Sequence, residues 1–243
     1  MTQAVIFSDA HVGAVDAQGV KRVLAFLSTT CPAAERLYIL GDLFDFWFGP
    51  KQARLEPYST VLAAIDSLAR TGTQVAFFHG NRDFYVDAKL AQAHGFRLVP
   101  DYAVETICGR RVLLCHGDML CTNDASYHRV RAILRHPLTR AVLTRLPSTV
   151  ALRLARAFRR HSAMTVSSKS QWVLGIDEGT LGRYFAKGAD IIVCGHTHKE
   201  QLLSMDTPEG RRDLYTLGDF GLTGSYLECD AGNFIFRSAP PQT

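Results

Sequence analysis

Two pairs of side chains that can bind metals follow two short apolar segments that lie far apart in the chain. Asp9 and His11 follow the apolar residues 4–7, and His196 and His198 follow the apolar residues 191–194. Each apolar segment has the length of a buried β-strand. In an extended chain, residues two apart point the same way, so we expect the two members of each pair to face one target.

Three further polar groups follow apolar segments in the same way. They are a Gly-Asp pair that ends at Asp42, a Gly-Asn-Arg-Asp segment around Asn81, and a His-Gly-Asp segment that begins at His116. Carboxylate, amide and imidazole groups together suit divalent transition metals, and imidazole favours manganese, iron or zinc over magnesium. The predicted metal ligands are Asp9, His11, Asp42, Asn81, His116, His196 and His198.

A pair of metal ions is the centre that this ligand set favours. Two ions about 3.5–4 Å apart can hold the attacking and the leaving oxygen of a phosphoryl transfer, and they lower the pKa of a shared water. Asp42 stands alone after its strand, so we predict that its carboxylate bridges the two ions. A single histidine after a strand is more often a packed polar residue, so the prediction depends on five such segments occurring in order.

The apolar periodicity predicts elements that bring these segments to one edge of a sheet. Helices are predicted at 15–28, 59–69 and 89–94, and core strands at 37–40, 74–78, 112–115 and 191–194. Short strands follow residue 200, so we predict an α/β fold of layered sheets covered by helices. Gly41 is expected to allow the sharp turn that points Asp42 inward. The aromatic segment 44–48 is expected to pack in the core, with a pocket wall as the alternative.

Residues 121–168 interrupt this pattern and form a predicted helical insertion, which we expect to act as a lid over the substrate or to contact a membrane surface. Helices are expected at 127–134, 138–146 and 149–160, and the last of these has an apolar face and an arginine-rich face. Residues 125–176 contain nine arginines, one lysine and no acidic residue. These ten positive charges exceed the chain's net charge of +4, so the remainder carries a net charge of about −6. Such an asymmetry indicates an anionic partner, although a solvated basic face is the simpler alternative.

Composition sets outer limits on the class of protein. A chain of 243 residues with 47% hydrophobic residues suits a single domain over residues 1–243 with a substantial core. No run of eighteen apolar residues predicts a membrane span, and no secretory signal precedes the first strand. The six cysteines form no C-x-x-C pair, so we expect reduced thiols in a cytoplasmic protein.

The ordered motifs resemble the calcineurin-like metallophosphoesterase superfamily. The motifs are Asp-x-His, Gly-Asp-x-x-Asp, Gly-Asn-Arg-Asp, His-Gly-Asp and Gly-His-Thr-His, and the resemblance extends from Val5 to about Phe220. It implies a four-layer α/β/β/α sandwich with two metals per chain, for which manganese is the expected element. It also implies a division of ligands in which Asp42 bridges. The first ion would take Asp9, His11 and His198, and the second would take Asn81, His116 and His196.

Arginine stands at position 82, where most of the superfamily has histidine. The Gly-Asn-Arg-Asp-Phe segment, the His-Gly-Asp-x-Leu-Cys-Thr-x-Asp segment and the basic insertion are together similar to the UDP-2,3-diacylglucosamine diphosphatases of lipid A biosynthesis. That resemblance implies substrate contacts at Asn81, Arg82, Asp124, Ser162, Lys169 and His196, and catalytic roles for Asp42, Arg82, His116 and His196. Val166 and Phe220 depart from the usual pattern, at positions where relatives have a polar residue and tryptophan.

The resemblance implies cleavage of the pyrophosphate of UDP-2,3-diacylglucosamine to UMP and 2,3-diacylglucosamine 1-phosphate, by attack on the α-phosphorus of a hydroxide shared between the metals. The partners would be that substrate and the anionic cytoplasmic face of the inner membrane, with no nucleic acid and no obligate protein partner. One alternative is a soluble metallophosphodiesterase acting on a nucleotide or nucleic acid, although the basic segment lacks regularly interleaved aromatic residues. The other is a non-catalytic scaffold that retains its metals.

Overall fold

Two β-sheets stack face to face in the computed structural model, which describes residues 2–13, 16–121, 125–146, 150, 176–208 and 210–239. The first sheet has the strand order β11-β10-β1-β2-β3-β4, and the second has the order β5-β6-β7-β9-β8. The strands are β1 Thr2–Phe7, β2 Ala34–Ile39, β3 Gln74–Phe78, β4 Phe96–Val99, β5 Tyr102–Ile107, β6 Arg110–Cys115, β7 Ile191–Cys194, β8 Gln201–Thr207, β9 Gly210–Thr216, β10 Ser225–Asp230 and β11 Asn233–Ser238.

The described residues also contain α-helices. They are α1 Ala17–Thr29, α2 Tyr58–Arg70, α3 Ala88–Ala93, α4 Ala125–Arg135, α5 Pro137–Leu143, α6 Glu178–Phe185 and α7 Phe220–Thr223. Helix α1 begins after Asp16, whose carboxylate accepts a hydrogen bond from the Gly19 N–H and caps the helix. The predicted helix start at residue 15 is therefore too early. Helix α5 ends at Leu143 and so stops before the predicted end at residue 146.

Three buried clusters show how the layers stack. Alternate residues of the first sheet, such as Ile6 and Phe78, meet Leu114 and Val193 of the second sheet in a shared core. The opposite faces of the sheets pack against helices α1 to α3 on one side and against α6 on the other. This is the four-layer α/β/β/α sandwich that the sequence predicted, so the predicted fold class is confirmed.

The aromatic segment 44–48 belongs mainly to the core. Phe44 and Trp47 are each 1% exposed, and their ring centroids lie 4.8 Å apart. The Trp47 N–H also donates to the Arg82 carbonyl at 2.9 Å, so this packed segment supports the loop that carries Arg82. The predicted core role is correct, and it also helps to position a candidate site residue.

All six cysteines are free thiols, and Cys115 and Cys194 end the paired strands β6 and β7 as expected. None of the helices in the described ranges is both long and apolar enough to span a bilayer. The predicted helix at 149–160 lies outside the described residues, apart from Val150. The single-domain and 121–168 insertion boundaries remain predictions.

Candidate metal centre

Parallel strands of both sheets end at one edge, and the predicted ligands follow those ends. In the first sheet β1, β2 and β3 run parallel, and Asp9, Asp42 and Asn81 follow them. In the second sheet β6 and β7 run parallel, and His116 and His196 follow them. The carboxyl ends of parallel strands meet at the same edge, so ligands spread over nearly 190 residues converge there.

Left-handed backbone turns aim these side chains. The φ angles of Asp9, His11, Asp42, His196 and His198 are 59°, 49°, 51°, 68° and 56°. The prediction that each ligand pair occupies an extended tail is therefore wrong: the chain turns sharply at each of these residues. Non-glycine residues rarely adopt positive φ, and such strained conformations concentrate at functional sites.

Asp9, His11 and His198 form one half of the site. The two histidine Nε2 atoms lie 3.4 Å apart, and the Asp9 Oδ1 atom lies 3.3 Å from His198 Nε2 and 3.9 Å from His11 Nε2. The other carboxylate oxygen of Asp9 accepts a hydrogen bond from the His196 N–H at 2.9 Å. Asp9 is fully buried, so one of its oxygens is fixed to the backbone and the other faces the two imidazoles.

Asn81, His116 and His196 form the other half. The Asn81 Oδ1 atom lies 2.8 Å from His116 Nε2 and 3.2 Å from His196 Nδ1. Asp42 lies beside this group, with its Oδ1 atom 3.8 Å from His116 Nε2. Ligand atoms of Asp9, Asp42 and His116 all lie within 4.8 Å of one another, so the two halves are contiguous. All seven predicted ligands are thus brought together.

Two glycines permit this close approach. A Cβ atom on Gly80 would overlap the Asp42 carboxylate, and one on Gly195 would overlap Ser8 and Asp9. Backbone hydrogen bonds join the same segments, including Asp9 N to Gly41 O at 3.2 Å. Gly41 itself has a φ of 82°, which confirms the expected sharp turn before Asp42.

The donor chemistry fits divalent metal ions. The Asp9 Oδ1 and His11 Nδ1 atoms are buried without a hydrogen-bond partner among the described residues. Two imidazole nitrogens that face each other at 3.4 Å can share at most one proton between them. Buried polar atoms normally have partners, so the bare Asp9 Oδ1 atom beside two imidazoles that face each other fits a cation bound between them.

The histidines have different proton affinities. Burial disfavours protonation of His198, but the carboxylates of Asp219 and Asp9 outweigh it and raise its pKa to about 10. Burial lowers the pKa of His11 to about 4, against the opposing charge of Asp42. A metal ligand must be unprotonated, so a metal ion and a proton compete for His198 below pH 10.

Hydrogen bonds on the far side of two rings set their tautomers. His198 Nδ1 lies 3.0 Å from Asp219 Oδ2, and His116 Nδ1 lies 2.8 Å from the Leu40 carbonyl oxygen. When each Nδ1–H donates to its acceptor, the Nε2 lone pair points into the site. Such outer contacts fix ring orientation and increase ligand basicity in metal centres.

Two residues that support the ligand-bearing segments, Asp219 and Asp83, were not predicted from the sequence to have a role. Asp219 follows β9 and belongs to a Gly-Asp pair like the one at Asp42. Its Oδ2 atom lies near His198, and its Oδ1 atom accepts a hydrogen bond from the Leu222 N–H and caps α7. Asp83 accepts hydrogen bonds from the Gly80 and Phe44 N–H groups, so it joins the loops of Asn81 and Asp42. Burial and the neighbouring Asp42 charge raise the pKa of Asp83 to about 7.

Arg82 lies at the mouth of the centre. Its Nε atom lies 3.2 Å from Asp42 Oδ2, and its backbone N–H donates to Asp42 Oδ1 at 2.9 Å. The Arg82 side chain is 26% exposed, so it is partly accessible from solvent. The remaining predicted substrate contacts, Asp124, Ser162 and Lys169, lie outside the described residues.

The sequence profile of the calcineurin-like phosphoesterase family matches residues 3–200. The chain belongs to that family. This confirms the predicted metallophosphoesterase family and, with it, a hydrolase. Among solved structures, an archaeal phosphodiesterase is similar to this chain with a TM-score of 0.46 and 13% identity, covering 96% of each chain.

Curated relatives are similar over almost the whole chain. A UDP-2,3-diacylglucosamine hydrolase of Histophilus somni is 34% identical over 238 residues, covering 97% of this chain and 100% of the relative. Another, of Pseudomonas paraeruginosa, is 37% identical over 237 residues, covering 96% of each chain.

Replacing Asp219 with Asn is expected to weaken metal binding about 10- to 100-fold. The single amide oxygen of Asn would still cap α7, and its NH₂ group would then face His198 Nδ1. That arrangement favours the wrong tautomer, with a proton on the metal-facing Nε2. Calorimetric titration of the metal-free protein with Mn²⁺ measures the loss.

The matched control is Asp87→Asn, which changes the residue that caps α3 through the Leu90 N–H. We expect this variant to bind Mn²⁺ as the unchanged protein does. If Asp219→Asn also binds Mn²⁺ with unchanged affinity, the contact between Asp219 and His198 does not orient the ligand.

Proposed function

We propose that this protein hydrolyses the pyrophosphate bond of UDP-2,3-diacylglucosamine to UMP and 2,3-diacylglucosamine 1-phosphate. The observation that supports this substrate is the near full-length similarity to curated relatives with that named activity. The converging side chains support the phosphoester chemistry, because their oxygen and nitrogen donors suit two divalent ions. The oxygen of water would bond to the α-phosphorus, the bond from that phosphorus to the bridging oxygen would break, and 2,3-diacylglucosamine 1-phosphate would leave with the bridging oxygen.

The proposed metal ligands fall into two groups. Asp9, His11 and His198 would hold one ion, Asn81, His116 and His196 would hold the other, and Asp42 would bridge them. When bound, the ions supply Lewis acidity and a water of lowered pKa. Mn²⁺ is the proposed metal, since a mixed imidazole and carboxylate set suits it.

Asn81, Arg82 and His196 are the described residues that we assign to the substrate. The guanidinium group of Arg82 would face the pyrophosphate and offset negative charge as the bond breaks. A guanidinium group presents several N–H donors in a fixed plane, which suits phosphate oxygens. We also assign Asp124, Ser162 and Lys169 to substrate binding by the family resemblance.

The deciding experiment is an assay with UDP-2,3-diacylglucosamine and Mn²⁺, with and without a chelator. We expect release of UMP that the chelator abolishes and Mn²⁺ restores. Asp42→Ala should reduce turnover to background, because the spacing of the two ions would be lost. Cleavage of a nucleotide phosphodiester, together with inactivity on the lipid substrate, would support the soluble phosphodiesterase instead. Inactivity of the metal-loaded protein on every phosphodiester would support the scaffold.

Replacing Arg82 with Ala is expected to lower kcat/KM about 10²- to 10³-fold, the usual effect of removing one group that stabilises developing charge. The metal content should remain near normal. The side chain lies 3.2 Å from Asp42, so its removal takes a positive charge away from the metal centre. Kinetics and elemental analysis of the same preparation separate the two effects. A variant that loses its metals but regains full kinetics when they are restored would contradict this assignment.

The first helices of the insertion expose an apolar and basic surface. Ile133, Leu138 and Val142 are 63%, 72% and 62% exposed. Arg140 and Arg145 are also exposed, and no acidic residue lies within 125–176 to pair with them locally. Exposed apolar groups beside unpaired cations suit an anionic bilayer. We therefore place the protein on the cytoplasmic face of the inner membrane as a peripheral protein.

Replacing Arg140 and Arg145 with Gln is expected to weaken binding to vesicles that contain phosphatidylglycerol. Each basic residue near such a surface contributes about 1 kcal/mol, and added salt should reduce the difference by screening. Sedimentation with anionic and with neutral vesicles measures the effect. The unchanged protein on neutral phosphatidylcholine vesicles is the control. If the variant and the unchanged protein bind anionic vesicles equally at low salt, these arginines are an ordinary solvated surface and do not bind the membrane. Arg153, Arg156 and Arg160, which the sequence also favours, lie outside the described residues.

A further inference from the structure

Helix α4 lies across two loops that carry metal-ligating side chains. On one side, Arg131 Nε lies 3.0 Å from Asp118 Oδ2, two residues after His116. On the other side, the Tyr85 hydroxyl donates to the Leu134 carbonyl at 2.5 Å, and Tyr85 shares a loop with Asn81. The insertion therefore contacts the loops of two candidate ligands that we assign to the same ion.

The ion pair between Arg131 and Asp118 is largely removed from solvent. The Arg131 side chain is 18% exposed, and that of Asp118 is 6% exposed. Arg131 also lies 3.1 Å from Asp101, which is more exposed at 58%. A charge pair with little access to water is screened weakly, so replacing Arg131 removes a strongly felt positive charge from beside the Asp118 carboxylate. Helix α4 therefore contributes directly to the position of Asp118.

Arg135 is a second arginine of α4, and it contacts the loop that carries Asn81. Arg135 lies 3.1 Å from Asp101, and its guanidinium carbon lies 5.3 Å from the centre of the Phe84 ring. Phe84 follows Asp83, and the Asp83 carboxylate accepts a hydrogen bond from the Gly80 N–H, next to Asn81. The contacts of Arg131 and Arg135 therefore reach both loops, one on each side of the ligands.

We propose that Arg131 is a positioning residue that couples the insertion to the Asn81–His116–His196 half of the metal centre. With α4 held in place, the loops of Asn81 and His116 keep the spacing that an ion needs. By reciprocity, binding of that ion stabilises the docked position of α4. The inference rests on the proposed metal centre and is independent of which phosphoester is cleaved.

The test combines metal titration with hydrogen exchange of the full chain. Replacing Arg131 with Gln should lower the affinity for one of the two Mn²⁺ ions about 10-fold or more, and leave the other ion nearly unchanged. In the unchanged protein, Mn²⁺ should slow amide exchange in residues 125–135, and this protection should be lost in the variant. If Arg131 only stabilises the fold, Arg131→Gln should lower the melting temperature without weakening one Mn²⁺ ion more than the other.

Two further variants act as controls. Arg129→Gln removes an equal charge from an exposed position on the same helix, and we expect unchanged metal binding and unchanged protection. Arg131→Lys keeps the charge and should recover part of the lost affinity. If Arg131→Gln does not fold, Tyr85→Phe removes the separate contact with Leu134 and should weaken the same ion by a smaller factor.

The outcomes separate this inference from the proposed function. Folded Arg131→Gln that binds both ions with unchanged affinity overturns the coupling. If Arg131→Gln does not fold, the Tyr85→Phe variant decides. Unchanged Mn²⁺ affinity and unchanged amide protection of α4 in that variant also overturn the coupling. Failure of the unchanged protein to bind two Mn²⁺ ions would overturn the proposed metal centre itself.

Discussion

Electron-rich side chains converge at the edge of two sheets, and their mutual proximity is the constraint on which the rest of the site depends. Asp9 is fully buried, and its free oxygen faces the imidazoles of His11 and His198. Such an arrangement is unfavourable without a cation, because buried lone pairs lose their water and repel one another. The fold tolerates it through strained backbone turns, glycines at the points of closest approach and hydrogen bonds from β-strand ends.

The periodicity of apolar residues was enough to locate the strands, because buried strands leave a strong local signal. The strands at 74–78 and 191–194 have the predicted bounds. The backbone beyond the strands was not predictable in this way. Asp9 and His198 adopt positive φ, and their partners Gly41 and Asp219 lie in distant segments, so local sequence does not encode these contacts. The predicted ligands converge, although the geometry first expected for them is wrong.

Residues that act through another residue were the hardest to find from sequence. Asp219 and Arg131 contact His198 and Asp118, which are 21 and 13 residues away along the chain. Their partners depend on sheet order and on how the insertion packs, whereas a metal ligand has a recognisable chemical type. The Gly-Asp pair at 218–219 repeated the signal used for Asp42, so Asp219 could have been suspected. Arg131 was one of nine similar arginines, so nothing in the sequence distinguished it.

The segment between Leu120 and Asp177 begins and ends at one point of the fold. The Asp177 N–H donates to the Leu120 carbonyl at 2.9 Å, which fastens the exit of the segment to its entrance. The entropy of closing a loop rises only slowly with its length once its ends are fixed together. Residues between these anchors can therefore be gained, lost or exchanged during evolution with little effect on the two sheets. The exception is α4, whose residues contact the loops of Asn81 and His116, so the freedom to change belongs to the part of the segment that follows α4.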